Sequence, residues 1–182
     1  MQLKTSTSRA LLTALAVTAC SGMAVAQQRP KAIKVEFKTS TGAPAGYAKL
    51  IPMPNGAVKI KLDLMGLPAG EHGLHLHEHA VCTEPDFKSA GGHFNPTGKH
   101  HGFENPLGHH AGDTPENIKV EGNGKVKTEF VMSDITLDPL APNSVYANGG
   151  TSLVLHAGVD DMKSDPAGNA GPRIACAVIK QP

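Results

Sequence analysis

The sequence predicts an all-β fold, an antiparallel sandwich or barrel of eight short strands with two long functional loops. Three observations carry this. Short segments alternate apolar and polar residues at period two, the mark of half-buried strands. Gly (20) and Pro (14) are abundant, which favours a turn-rich β design. No segment of helix length shows an apolar stripe at period 3.6.

The elements follow in order. Ile33 to Lys38 puts apolar and charged side chains on opposite faces, and Tyr47 to Ile51 is a weaker segment of the same kind. Val58 to Leu64 alternates throughout. Leu74-His75-Leu76-His77 alternates with histidine on one face. Ile118 to Glu121 and Val126 to Val131 flank Gly122-Asn123-Gly124, which is hairpin chemistry. Ser152 to His156 and Ile174 to Ile179 complete the eight. Two stretches break the pattern, 78–117 and 157–172. Loops of that length in one domain are functional or disordered, and the first is crowded with histidine.

With 182 residues the chain suits one domain with its own core. There is no Trp and aromatic residues are few, so the core must rest on Val, Ile, Leu and Ala. Charge is nearly balanced, 17 Lys and Arg against 16 Asp and Glu. That leaves no basic field for a nucleic-acid backbone, so nucleic acid is not an expected partner.

The first residues read as an export signal. Lys4 and Arg9 precede the apolar run from Ala10 to Ala19, which is too short to span a bilayer and fits a signal-peptide core. Two processing points compete. Ala24-Val25-Ala26 suits ordinary cleavage after residue 26. Val17-Thr18-Ala19-Cys20 resembles a lipobox, in which the signal is 1–19 and Cys20 carries lipid. Either way the chain is exported, to the periplasm or cell envelope, and its membrane contact is limited to a lipid anchor at Cys20. Removing residues 1–26 takes away Lys4 and Arg9 and leaves 15 basic against 16 acidic residues. With Cys20 in the signal, Cys82 and Cys176 form an even pair, and an oxidising compartment makes a disulfide the expectation.

Ten histidines are present, all between residues 72 and 156. The i, i+2 spacing of His75 and His77 sends both imidazoles to one side of a strand, about 7 Å apart. His156 ends another strand. His93, His101 and His110 lie in the long loop, with Asp113 three residues after His110. Imidazoles with one carboxylate suit zinc or copper, and the lack of thiolates argues against iron–sulfur chemistry. Ligands drawn from two strands and a loop build a site rather than a surface tract.

Gly73-Leu74-His75-Leu76-His77-Glu78, Gly92-His93-Phe94-Asn95-Pro96, His101-Gly102 and His110-Ala111-Gly112-Asp113 resemble the copper/zinc superoxide dismutases. Leu153-Val154-Leu155-His156 and the run from Gly168 to Cys176 extend the resemblance over about residues 31–180. The short His77-to-Cys82 spacing is similar to that of bacterial members. The resemblance implies a Greek-key connection of the strands and a catalytic domain over 31–182. It implies copper held by His75, His77, His93 and His156, and zinc by His93, His101, His110 and Asp113. His93 would then bridge the two ions and take a proton as copper is reduced by superoxide, the substrate. His101 and His110 fit the family spacing; His100 and His109 do not. His79 is expected to face solvent and His72 to be an ordinary loop residue. Asp160 matches a carboxylate that joins a copper-bound to a zinc-bound histidine. Arg173 matches the arginine lining the copper channel. Cys82 and Cys176 match the family's intrasubunit disulfide. Related enzymes are often dimers, so a homodimer is compatible with the resemblance. Two other functions fit the residues less well: a non-catalytic copper/zinc-binding protein outside the cytoplasm, for which a channel arginine serves no purpose, and zinc hydrolysis, disfavoured by four protein ligands on the zinc.

Overall fold

Period-two alternation builds the longer strands. In the structure, a computed structural model that describes residues 30–182, β1 (Ile33–Thr39) buries Val35 and Phe37 while Lys34, Glu36 and Lys38 face out. β2 (Pro44–Pro52) buries Ala45, Ala48 and Leu50, and β3 (Val58–Leu64) buries Val58, Ile60, Leu62 and Leu64. β4 (Gly70–His72), β5 (Leu74–His77), β6 (Ile118–Val120), β7 (Val126–Met132), β8 (Thr151–His156) and β9 (Arg173–Ile179) follow. The export-signal reading of residues 1–26 and the reading of Cys20 lie outside the described residues.

Seven strands form one antiparallel sheet in the order β5-β8-β9-β1-β2-β3-β7, and β4 pairs with β6 in a second. Strands distant in sequence meet at β3–β7, β1–β9 and β5–β8, which is Greek-key rather than simple meander connectivity. The sheet curls around a single large cluster that includes Phe37, Leu50, Ile60, Leu62, Phe130, Leu153, Leu155 and Ile179.

Two details depart from the sequence reading. The described strands number nine, because Gly70–His72 forms a short strand that carries no alternation to announce it. The Gly122-Asn123-Gly124 turn does form, with Glu121 N–H donating to Lys125 O at 2.9 Å. Yet the ladder of β6 runs to β4, with His72 opposite Ile118, and not to β7. The loop 78–117 holds only a 3-10 turn at Lys88–Ala90.

The stretch β5–β8–β9 differs from the rest because both of its faces are covered. On β5, Leu74 and Leu76 enter the core, while His75 and His77 are buried on the other side. On β8, Leu153 and Leu155 point inward, and Val154 joins Phe87, Ala90 and Cys176 in a small outer cluster. The long loops lie over this outer face.

Candidate metal centre

Strand pairing lays out the first imidazoles. β5 runs beside β8 with His75 opposite Val154 and His77 opposite Ser152. The β8–β9 register shifts between Leu155 and His156, which places His156 opposite Arg173. His156 N–H donates to Gly73 O at 2.8 Å, fixing the strand end beside β5.

The loop histidines arrive through main-chain bonds to the same strand. Leu76 N–H donates to Gly112 O, Phe94 N–H to Leu76 O and Gly112 N–H to Phe94 O, all at 2.8 Å. His93 is thereby bridged to His77, and Asp113 to His75. Only glycine fits at 112: a Cβ there would collide with the Leu76 carbonyl oxygen and stand 2.9 Å from Phe94 N.

Two donor sets converge. Around Asp113 Oδ1 lie Nδ1 of His93 at 2.8 Å, of His101 at 3.0 Å and of His110 at 3.3 Å. His110 Nδ1 is also 3.4 Å from His93 Nδ1. Asp113 Oδ2 is held by the N–H groups of Gly102 and His110, at 2.8 and 3.0 Å. The second set is His75, His77, His93 and His156, whose ligand atoms all lie within 4.8 Å of one another. His75 also comes within that distance of His93, His101 and Asp113, because its ring stacks on His93 at 4.0 Å. Its Nε2 is engaged elsewhere, so His110 completes the first set better.

Hydrogen bonds choose which nitrogen of each ring is available. His75 Nε2–H donates to Asp160 Oδ2 at 2.8 Å, His77 Nδ1–H to Gly91 O at 3.0 Å and His156 Nδ1–H to Gly171 O at 3.0 Å. Each such bond leaves the opposite nitrogen with a lone pair. Those nitrogens turn toward one another, with His77 Nε2 3.4 Å from His156 Nε2. His75 Nδ1 and His93 Nε2 are buried without any hydrogen-bond partner. Orphaned buried nitrogens are rare and costly, and two of them in one cluster fit a cation site. His93 alone presents both nitrogens to ligand clusters.

Burial enforces the charge state that cation binding needs. It pushes His75 down to about 4, and His93, with His75 beside it, to about 3. Burial likewise lowers His156 to about 4 and holds His77 well below the usual imidazole range. Asp113 is buried too, but hydrogen bonds from His101, His110 and His93 overcome that and keep it far below the carboxylate range. For Asp160, hydrogen bonds from His101 and His75 outweigh burial in the same way. His101 sits between both carboxylates; burial opposes its protonation, yet the bonds to Asp113 and Asp160 raise it to about 9. A divalent ion requires neutral imidazoles and ionised carboxylates; His75, His77, His93, His156 and both carboxylates already meet that, whereas His101 must release a proton as an ion enters.

Asp160 spans His75 Nε2 and His101 Nε2, at 2.8 and 2.9 Å. Arg173, half-buried, donates from Nη1 to Phe87 O and from Nη2 to Gly91 O, each at 2.6 Å. Its charge contributes to lowering His77 and His156. Cys82 and Cys176 are disulfide-bonded with Cα atoms 5.9 Å apart, which pins the loop that carries those two carbonyls. His101 is fully buried, whereas His100 is exposed and bonds Asp165. His109 stacks on Phe103 at 3.8 Å and bonds Asp134, away from the cluster. His79 faces solvent. His72 is not a loop residue: it is buried in β4, with Nδ1 2.8 Å from His156 O and Nε2 2.9 Å from Pro68 O. Sequence reasoning also passed over Asn117 and Thr114. Thr114 Oγ1–H donates to Leu74 O at 2.7 Å, a contact across 40 residues that leaves no local signature.

Comparison with known proteins agrees with this geometry. The family model described as copper/zinc superoxide dismutase matches residues 44–179. "Superoxide dismutase [Cu-Zn] 2" of Aquifex aeolicus is 50% identical over 146 residues, covering 80% of this chain and 84% of that protein. "Superoxide dismutase [Cu-Zn]" of Caulobacter vibrioides is 39% identical, covering 79% and 82%. Among solved structures, a superoxide-dismutase-like protein from Bacillus subtilis superposes with a TM-score of 0.76 at 35% identity, covering 80% and 96%. The Cu/Zn superoxide dismutase from Brucella abortus gives 0.66 at 27% identity, covering 82% and 100%.

Proposed function

The chain belongs to the copper/zinc superoxide dismutase family, and on that premise we propose that it converts superoxide to dioxygen and hydrogen peroxide at a copper/zinc centre. The observation that carries this is the convergence of buried lone-pair nitrogens, His75 Nδ1 and His93 Nε2 without any hydrogen-bond partner and the Nε2 atoms of His77 and His156 facing each other at 3.4 Å. Copper would be held by His75 Nδ1 and by Nε2 of His77, His93 and His156. Zinc would be held by Nδ1 of His93, His101 and His110 with Asp113. Bound copper supplies a one-electron couple, oxidising one superoxide and reducing the next, while zinc is redox-silent.

The chain's own groups supply the rest. His93 shares its ring between the two donor sets, so its Nε2 can hold a proton between the half-reactions and release it to the departing peroxide. Two superoxide anions and two protons thus become one dioxygen and one hydrogen peroxide. Arg173 uses two of its five N–H donors on loop carbonyls, which fixes its charge and leaves donors for a small anion. Asp160 sets the ring orientation of His75 and His101 together. We further assign residues 1–26 to an export signal, or 1–19 with lipid on Cys20, and the catalytic domain to 31–182, working in the periplasm or cell envelope. Mass spectrometry of the mature N-terminus separates a free Gln27 from a diacylated Cys20.

The test is superoxide decay followed with protein loaded with both metals. Rapid decay is expected, slowed at least tenfold in Arg173→Ala with both metals retained. Stoichiometric copper and zinc without accelerated decay would leave a non-catalytic metal-binding protein in place of the enzyme.

A further inference from the structure

Asp160 bonds a proposed ligand of each metal, so its own placement matters to both. Its carboxylate reaches His75 Nε2 at 2.8 Å and His101 Nε2 at 2.9 Å, and Oδ1 also accepts Met162 N–H at 2.7 Å. Such reach tolerates little error, since a shift of about 0.5 Å takes either bond out of the hydrogen-bonding range. Asp160 lies in the loop 157–172 and belongs to no strand. Among the described residues, its main-chain N–H and C=O have no main-chain partner.

One side chain takes both. Asp160 N–H donates to Asn117 Oδ1 at 2.8 Å, and Asn117 Nδ2–H donates to Asp160 O at 2.9 Å. The carboxamide thus pairs with the Asp160 main chain as a neighbouring strand would. Asn117 is well placed to be rigid. It directly precedes β6, whose first residue Ile118 is opposite His72 on β4, and β4 leads through Gly73 into β5. Behind Asp160 there is little room: a Cβ on Gly73 would lie 3.1 Å from the Asp160 Cβ.

We propose that Asn117 is a positioning residue for the metal centre, clamping the main chain of Asp160 so that its carboxylate spans His75 and His101. This rests on the metal-centre reading above. Asn117 touches no ligand atom and acts only through Asp160. Its loss should therefore weaken zinc binding by misplacing the His101 partner, and should do nothing further once Asp160 is gone.

The experiment is a double-mutant cycle on the full mature protein, with Asn117→Ala, Asp160→Ala and the pair. Zinc affinity is read by competition with a chromophoric chelator, and the visible bands of cobalt(II) bound in place of zinc report ligand geometry. Loss of an outer partner to a ligating histidine lowers metal affinity by about 10–100-fold. Asp160→Ala should fall in that range, Asn117→Ala should lose about tenfold, and the double variant should match Asp160→Ala alone. The cobalt bands of Asn117→Ala should shift in the same sense as those of Asp160→Ala. Wild-type zinc affinity in Asn117→Ala, or losses that add in the double variant, would overturn the clamp. Should Asn117→Ala not fold, Asn117→Gln enters the same cycle, because its longer side chain also misplaces Asp160. If the unmodified protein binds one ion only, the metal-centre reading itself fails; if it binds both and the cycle is additive, only the clamp does.

Discussion

Replacing the disulfide cysteines by alanine should cost stability and substrate guidance together. Cys82 and Cys176 are separated by 94 positions, so the chain-entropy relation gives about 4.7 kcal/mol of stabilisation for the closed loop. For a domain of this size that is a fall of roughly 9–19 °C in melting temperature. Alanine is the right substitute because Cys176 is 1% exposed and packs with Phe87, Ala90 and Val154; serine would bury a hydroxyl there at a further cost of about 1–3 kcal/mol. Urea unfolding of the metal-free protein measures the difference, with the reduced wild-type protein as a control that leaves packing untouched. Both samples should lose stability by similar amounts, and m should rise as the unfolded chain expands. The same loop presents the Phe87 and Gly91 carbonyls to Arg173, so superoxide decay should slow while copper and zinc stay bound. A stability loss below about 1 kcal/mol at unchanged m would refute the loop-closure argument. Unaltered decay would refute the link to Arg173.

Two more outcomes are expected. Gly112→Ala must break the three-bond clasp with Leu76 and Phe94, so it should destabilise the protein by about 1–3 kcal/mol and reduce the zinc retained after dialysis; wild-type melting with full zinc would contradict the close approach. In the metal-free protein, folded His75, His93 and His156 titrate near 4, 3 and 4, against about 6.5 when unfolded. The unfolded chain then binds more protons, and stability falls as pH drops from about 6.5 toward 4. His101, raised to about 9, acts the other way: its contribution is full below about 6.5 and is lost as pH rises through 9. Urea midpoints should therefore peak near pH 6.5, and a flat profile from pH 4 to 9 would count against this charge assignment.

How much of this was legible depended on whether the causal contact was local. β3 and β7 announce themselves because period-two alternation is a property of consecutive residues, and the same periodicity put His75 and His77 on one face. β4 could not be read, because Gly70-Glu71-His72 has no pattern and is a strand only by virtue of β6 beside it. The Gly122-Asn123-Gly124 turn was legible as a turn, but its chemistry says nothing about which ladder β6 joins. In the site, resemblance and spacing singled out His101 over His100 and His110 over His109. Asn117 bonds across 43 residues and His72 across 84, so nothing near either one in sequence hints at its role.

β5 carries hydrocarbon on one side and, on the other, two of the four imidazoles proposed to hold copper, separated by the thickness of a single backbone. A core substitution at Leu74 or Leu76 that tilts this strand would tilt those imidazoles equally, so packing there is part of the tuning of the centre. Efforts to raise heat tolerance would do better beneath β1, β2 and β3, where the outward faces carry lysine and glutamate and a small displacement reaches no ligand.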